Sequence, residues 1–587
     1  MIPPSTARNN TLCETIKRRI DVASGRSKGS LLLKNGKVVN VFSGEVLNCN
    51  VLIDNEIIVG ICNDYTKADN IIDVSGLYIL PGFIDAHIHI ESSLLSLSQF
   101  ARLLLLSGTT AVIADPHEIT NVLGTYGIDY ILKASKDFPL DIFLMMPSCV
   151  PSTNMETAGG SISAQTIKKY LKHERILGLA EVMNFPGVIY AFPEVIKKLS
   201  AVKQFDKIID GHCPKLTGKL LQAYLSAGIT SDHECIDVRE AQEKLRAGMY
   251  IMIREGSAAK NLSALFHLIN MRNSRRLMLV SDDKHPDELL SEGHLNATLR
   301  KAVKLGLDPI TAIQMVTINP AEYFRLYNRG IIAGGKLADM LIVDNLNDFN
   351  VAMVIKNGKI VVENRQLKVK IPDYQDQRVL YTMKVKPFTK LALRVKAQDG
   401  RIKVIRIIPN QIITEKWLTI PKIIKKEVVS DTERDILKLV VCERHKKTGN
   451  IGIGFISGFG LKKGALASSV AHDSHNIIAV GTNDSDLYYA IKSLIKLGGG
   501  FVAVDKEKVR ASLALPIAGL MSQEPAEVVV SKLKELNQTV RAWGIKLDNP
   551  FITLSFLALP VIPELKLTDK GLVDVNRFKI VSLWEEK

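Results

Sequence analysis

With 587 residues, 46% of them hydrophobic and 23% charged, the chain is too long for one ordinary core and too apolar for broad disorder, so a large central unit with smaller ones beside it is expected. Seven scattered cysteines, none in a C-x-x-C pair, argue against a disulfide framework or a zinc ribbon and fit a reducing compartment. The net charge of +15 is concentrated in residues 351–450, which hold 23 Lys+Arg against 10 Asp+Glu; these are interspersed with Ile and Val rather than aromatic residues, the pattern of a solvated face rather than a nucleic-acid surface.

The first twenty residues, MIPPSTARNNTLCETIKRRI, contain no apolar signal region, and no later segment approaches the roughly 18 to 20 apolar residues that span a bilayer. A cytoplasmic protein without a membrane partner is expected. Residues 30–80 read as short alternating strands with Asn-Gly and Ser-Gly punctuation, and the same texture returns at 331–365, where the Lys-Asn-Gly-Lys turn of residues 356–359 repeats that of 34–37. Two such stretches predict one small β domain built from both flanks of an insertion. The division expected is 1–75 for the N-terminal segment and first β half, 76–330 for the insertion, 331–370 for the second β half, and 375–587 for a further α+β domain.

Within the insertion, apolar β-rich runs alternate with helical patterns, as in a parallel sheet with crossover helices. Eight runs are strand candidates: 83–90, 109–115, 141–148, 176–183, 207–212, 228–233, 249–255 and 276–283. Eight closes a TIM-type (β/α)8 barrel, and active sites of such barrels lie at the C-terminal strand ends. Here those ends carry polar residue types.

His87 and His89 lie two apart on the first run, so both imidazoles share one face. Glu181 ends the apolar run LGLAEVM, where a carboxylate is costly without a cation or a hydrogen-bonded partner. His212, His233 and Asp282 end the fifth, sixth and eighth runs. Any one of these could be a satisfied core residue; their common registry points to a metal centre. Four imidazoles and two carboxylates suit zinc, manganese or iron, and exceed one tetrahedral site. Two ions about 3.5–4 Å apart, bridged by Glu181, would use them all. Asp282 is the first choice for proton transfer, and His233 could combine ligation with orientation of the leaving group.

After the second run, Asp115-Pro116-His117-Glu118 either joins the site or caps a helix, with Asp115 as N-cap and Glu118 at the third position. In the seventh, Arg254-Glu255 reads as a structural ion pair or a ligand clamp, the former being favoured.

The motifs PGFIDAHIHIESS, VIADPHEITNVLG, LAEVMNFPGV, DGHCPKLTG, IREGSAAKNL and SDDKHPDELLSEGH, with GALASSVAHDSHNIIAVGTND in the C-terminal region, resemble the bacterial and archaeal adenine deaminases of the amidohydrolase superfamily. The likeness runs through most of the chain. It implies a (β/α)8 amidohydrolase barrel with a flanking β domain and an added C-terminal domain, and hydrolysis of adenine to hypoxanthine and ammonia. It also implies two divalent ions, Mn2+ or Fe2+ before Zn2+, on His87, His89, Glu181, His212, His233 and Asp282. By that resemblance a hydroxide held by the ions attacks C6 and Asp282 takes its proton, His117 and Glu118 being candidates for acid support. Adenine and water are then the partners, in a homo-oligomer of two or more chains. His472 and His475 match a motif of the family, with domain packing as their expected role.

Dihydroorotase-like and hydantoinase-like ring openers are the nearest alternative, but they bridge their metals with a modified lysine where this chain has Glu181. The Pro-Cys-x-x-Cys element of cytidine-type deaminases is missing. A non-catalytic scaffold would be expected to have lost ligands, and all six are present.

Overall fold

The structure, a computed structural model, describes residues 4–409 and 411–585. Its centre is a closed barrel of eight strands: β1 Phe83–His89, β2 Thr109–Ala114, β3 Asp141–Met146, β4 Ile176–Val182, β5 Ile208–Gly211, β6 Ser231–Asp232, β7 Tyr250–Arg254 and β8 Leu277–Val280. Neighbours pair in parallel from β1 to β5 and again from β6 to β8. Two seams close the circle. Thr230 donates its N–H to the Ile209 carbonyl between β5 and β6, and Asp282–Asp283, just past β8, pairs with Ile88 and His89 of β1.

The strands are apolar on both faces because crossover helices cover the outside; every residue of β1 and β2 is buried. The helix Leu97–Leu106 shows how this is specified. Ser96 caps it by accepting from the Gln99 N–H, and Leu97, Phe100, Ala101, Leu104 and Leu105 form the buried stripe at the spacing a 3.6-residue period requires. Inside the barrel, Met252, Met278 and Val280 join a separate apolar cluster with Tyr323 and Phe324. Met252 stands two residues before Arg254, and Val280 two before Asp282, so the alternation that buries the apolar pair below also aims the polar pair into the mouth.

Beside the barrel, one sheet joins chain from both of its flanks. Tyr78–Pro81 pairs with Gly29–Asn40 on one side and with Met340–Val343 on the other. Residues 34–37 and 356–359 do not form matching turns in it. Asn357 and Gly358, both at positive φ, link Val351–Lys356 to Lys359–Glu363 in a tight hairpin. Residues 34–37 instead form a bulge within the continuous strand Gly29–Asn40, whose pairing with Glu45–Asp54 resumes after a register shift. Asn35 takes the left-handed conformation there, and Gly36 sits where a Cβ would lie 2.5 Å from the Ile79 side chain, so the same residues serve close packing rather than chain reversal.

The C-terminal region builds an eight-stranded sheet from Ile402 to Ala514. Along Gly500–Asp505, Phe501 and Ala503 belong to the large apolar cluster shared with the barrel. Val502 and Val504 pack instead with Leu487, Ile491 and Leu494 of the helix Asp484–Leu497. This period of two seats one face of the sheet in the same apolar mass as the barrel and carries the loop 471–476 to the barrel mouth. Several cations of the 351–450 window are spent internally: Lys356 pairs with Asp141 and Asp339, and Lys438 with Asp484. No helix among the described residues is long and apolar enough to cross a membrane.

Candidate metal centre

The ends of β1, β4, β5, β6 and β8 bring His87, His89, Glu181, His212, His233 and Asp282 into one cluster. The His87 ring stacks on His233, with centroids 4.1 Å apart, and stands edge-on to His89 at 4.9 Å. Asp282 Oδ1 lies 3.6 Å from His87 Nε2 and 3.3 Å from His89 Nε2. Glu181 spans the cluster: its Oε2 lies 2.6 Å from His212 Nδ1 and 3.1 Å from His233 Nε2, while its Oε1 faces His89 Nε2 at 3.5 Å and His117 Nδ1 at 3.6 Å.

These residues fit metal ions. His87 Nε2 is buried without a hydrogen-bond partner, a costly state unless a further group completes it. His89 Nδ1 is 3.2 Å from the Asp115 carbonyl, which fixes the proton on Nδ1 and leaves the Nε2 lone pair pointing at the two carboxylates. Several overlapping sets hold their ligand atoms within 4.8 Å of one another, among them His87, His233 and Asp282; Glu181, His212 and His233; and His89, Asp115, His117 and Glu181. Asp282 also adopts a positive φ of 56°, a local strain of the kind that collects at functional sites.

The carboxylates are charged despite their burial. Burial pushes Glu181 up, but the charges and N–H groups of His233 and His212 outweigh it and hold the group well below the usual range. Asp282 is pushed up by burial and drawn well below its ordinary value by His87, His89 and Arg254. Burial lowers His233, yet the adjoining Glu181 lifts it to about 9.

Arg254 does not pair with Glu255. Successive residues of a strand point to opposite faces, so Arg254 enters the mouth and Glu255 turns outward to Lys301. The guanidinium Nη1 donates to Asp282 Oδ2 at 2.9 Å, and Nη2 to Glu234 Oε2 at 2.9 Å. Glu234, directly after His233, thereby holds the arginine that orients Asp282, a contact the sequence order does not reveal.

Asp115 is not the N-cap residue either, although its Oδ1 accepts the His117 N–H at 3.1 Å. The helix His117–Leu123 has Pro116 at its cap position with no side-chain cap. Asp115 Oδ2 lies 3.1 Å from His117 Nδ1 and turns that ring toward Glu181. Glu118 points away from the helix end to the C-terminal region, where it meets His472 and His475. Behind the cluster, Asp232 accepts the Cys213 N–H at 2.8 Å and the Lys244 ammonium at 3.0 Å. One buried carboxylate thus ties down the chain beside both His212 and His233.

The amidohydrolase family model matches residues 78–361, and the adenine deaminase C-terminal domain model matches residues 411–579. Adenine deaminase of Dehalococcoides mccartyi is 50% identical over 568 residues, covering 96% of this chain and 99% of that protein. Adenine deaminase 2 of Carboxydothermus hydrogenoformans is 45% identical, again over 96% and 99%. Among solved structures, the dihydropyrimidinase of Brevibacillus agri superposes with a TM-score of 0.46 at 17% identity, over 57% of this chain and 96% of that one.

Proposed function

This chain belongs to the adenine deaminase family and hydrolyses adenine to hypoxanthine and ammonia with divalent metal ions; from that premise we propose how its residues divide the work. His87, His89 and Asp282 would hold one ion and His212 and His233 a second, with Glu181 able to serve either. The observation that carries this reading is the placement of the two Glu181 oxygens, Oε1 toward His89 and Oε2 toward His212 and His233. Imidazole and carboxylate ligands accommodate manganese, ferrous iron and zinc alike; the family resemblance puts manganese or ferrous iron first and zinc second.

When bound, the ions supply an acidified water molecule and a positive field at the reacting carbon. Asp282 has its Oδ2 fixed by Arg254, so Oδ1 is the atom that accepts the water's proton. That proton passes to ring nitrogen N1 as the C6–O bond forms. The His87 and His233 rings, stacked against each other, keep Asp282 Oδ1 at the centre of the cluster. The apolar barrel interior beneath excludes bulk water, which strengthens each of these interactions.

All seven cysteines are unpaired, in keeping with a cytoplasmic location, and a homo-oligomer of two or more chains is expected. The internal pairing of Lys356 and Lys438 speaks against the basic window as a nucleic-acid surface. The deciding experiment is ammonia release by metal-depleted protein reloaded separately with manganese, ferrous iron or zinc, on adenine, adenosine, guanine and cytosine. Turnover of adenine alone, restored by metal at two ions per chain, is the expected result; no turnover in protein that binds two ions overturns the substrate.

A further inference from the structure

The loop 471–476 of the C-terminal region brings two imidazoles to the barrel mouth, and both close on Glu118. His472 Nδ1 lies 2.6 Å from Glu118 Oε1, and His475 Nε2 abuts Glu118 Oε2. All three side chains are buried, Glu118 to 2% and His475 to 1% exposure. Three such groups could share a cation, but the backbone decides otherwise. The Ala471 N–H donates to His475 Nδ1 at 3.2 Å, which occupies that lone pair and places the ring proton on Nε2. With Nδ1 taken and the proton on Nε2, His475 faces Glu118 Oε2 with an N–H edge and offers no lone pair to a cation.

Glu118 meets His472 Nδ1 through Oε1 and faces His475 Nε2 through Oε2, and it has no proton to give. Burial pushes this carboxyl up, but the imidazoles of His472 and His475 beside it hold it well below the usual range, His475 itself being pushed down to about 4 by burial. His472 answers in the opposite sense, lowered by burial but lifted to about 9 by Glu118. Its ring is fixed on a third side by Phe556, stacked at 4.6 Å and 21°. Only the Nε2 edge is left. Among the described residues Nε2 makes no hydrogen bond, and it is not among the sealed nitrogens that include His87 Nε2 and His475 Nε2. Glu118 Oε1 is also 3.3 Å from His117 Nε2, whose ring is centred 4.7 Å from that of His89. Through Glu118 and His117 the His472 ring is thus joined to the surroundings of the metal cluster.

Amide ion is not a viable leaving group, so the amine must be protonated as it departs, and the proton that Asp282 took from water has by then passed to N1. We propose that His472 of the C-terminal domain is the acid that protonates the departing amine, with Glu118 as the positioning residue that holds its ring. This rests on the adenine reading above. In the step, the C6–N bond of the tetrahedral adduct breaks with its electron pair going to nitrogen, and the proton on His472 Nε2 is transferred to that nitrogen as ammonia leaves. The adduct hydroxyl releases its proton as the C6 carbonyl forms, and that proton restores the imidazolium. The two protons of water end on N1 and on ammonia.

The test uses the metal-loaded full-length enzyme. His472→Ala should keep two ions per chain and a near-unchanged KM for adenine, while kcat falls by about 10²–10⁴, the usual contribution of a positioned acid. Added imidazole should restore kcat, and across a series of substituted imidazoles at saturation the restored rate should depend on imidazolium pKa, more acidic members working better. A space-filling role would give a rate independent of that pKa. Rescue that is absent or flat, or a kcat within fivefold of wild type, overturns the proposal. The adenine reading is judged separately, by whether the wild-type enzyme releases ammonia from adenine at all.

Discussion

Ser281 donates its Oγ–H to Asp85 Oδ2 at 2.5 Å, joining the strand that carries His87 and His89 to the residue directly before Asp282. The same carboxylate faces the His87 N–H and Ser281 N–H through Oδ1, each at 3.3 Å, and lies 3.0 Å from His294 Nε2. One side chain with 0% exposure therefore sets the distance between the first and last groups of the candidate metal cluster across the seam of the barrel.

Asp85→Ala should consequently weaken metal binding while leaving every ligand in the chain. Outer partners of this kind typically cost 10- to 100-fold in affinity. Competition with a chelator, read by residual metal per chain, measures it; an unchanged affinity would mean that the seam is set by backbone pairing alone.

Asp282→Asn should retain the fold and much of the metal but lose turnover by about 10²–10⁴, whereas His87→Ala should lose metal itself. Elemental analysis beside kcat for adenine separates the two. Near-normal turnover by the Asn variant would remove Asp282 from proton transfer.

Lys244 is fully buried and donates to Asp232, to Glu240 at 2.6 Å and to the Cys213 carbonyl at 2.6 Å. Lys244→Met leaves two carboxylates buried without their cation, and breaking such a network costs about 3–5 kcal/mol. Burial raises Asp232, but Lys244 and His233 hold it well below the usual range, so its share of stability is fully present at neutral pH and is lost as pH falls. The urea midpoint of the variant should drop markedly at pH 7; a shift of under 0.5 kcal/mol would show that water enters to replace the ammonium.

Lys566, also with 0% exposure, donates to the Ile412 carbonyl at 2.7 Å, and burial pushes its ammonium down to about 7. The unfolded lysine, near 10.5, binds its proton more tightly. The charge therefore penalises folding most fully below pH 7, and the penalty fades as pH rises toward 10.5. Lys566→Met should be more stable than wild type at pH 6–7, on the order of a few kcal/mol, and the advantage should disappear by pH 10. Urea midpoints at pH 6, 8 and 10 give the comparison. An advantage constant across that range would assign it to packing.

How far the site could be read from the chain follows from where each residue sits. His87, His89, Glu181, His212, His233 and Asp282 announce themselves because each ends an apolar run. Arg254 was legible as a residue but not as a partner. Its neighbour Glu255 is adjacent in sequence, yet the strand sends the two to opposite faces, and the actual partners, Glu234 and Asp282, are 20 and 28 residues away. The Lys-Asn-Gly-Lys repeat misleads for a related reason, since a positive-φ Asn beside Gly suits a hairpin and a bulge equally.

The sequence by itself determined the strands, their alternation and the kind of chemistry, because hydrophobic period and residue type are local properties that any one segment carries. Tertiary structure alone decided that Glu118 would meet His472 across 354 positions, that Asp85 would tie the first barrel strand to the last, and that the C-terminal sheet would lay its 471–476 loop on the barrel mouth. Those pairings depend on closure of the barrel and on which face of a distant sheet is apolar, and no single stretch of chain records the distance between two faces that meet only once both have folded.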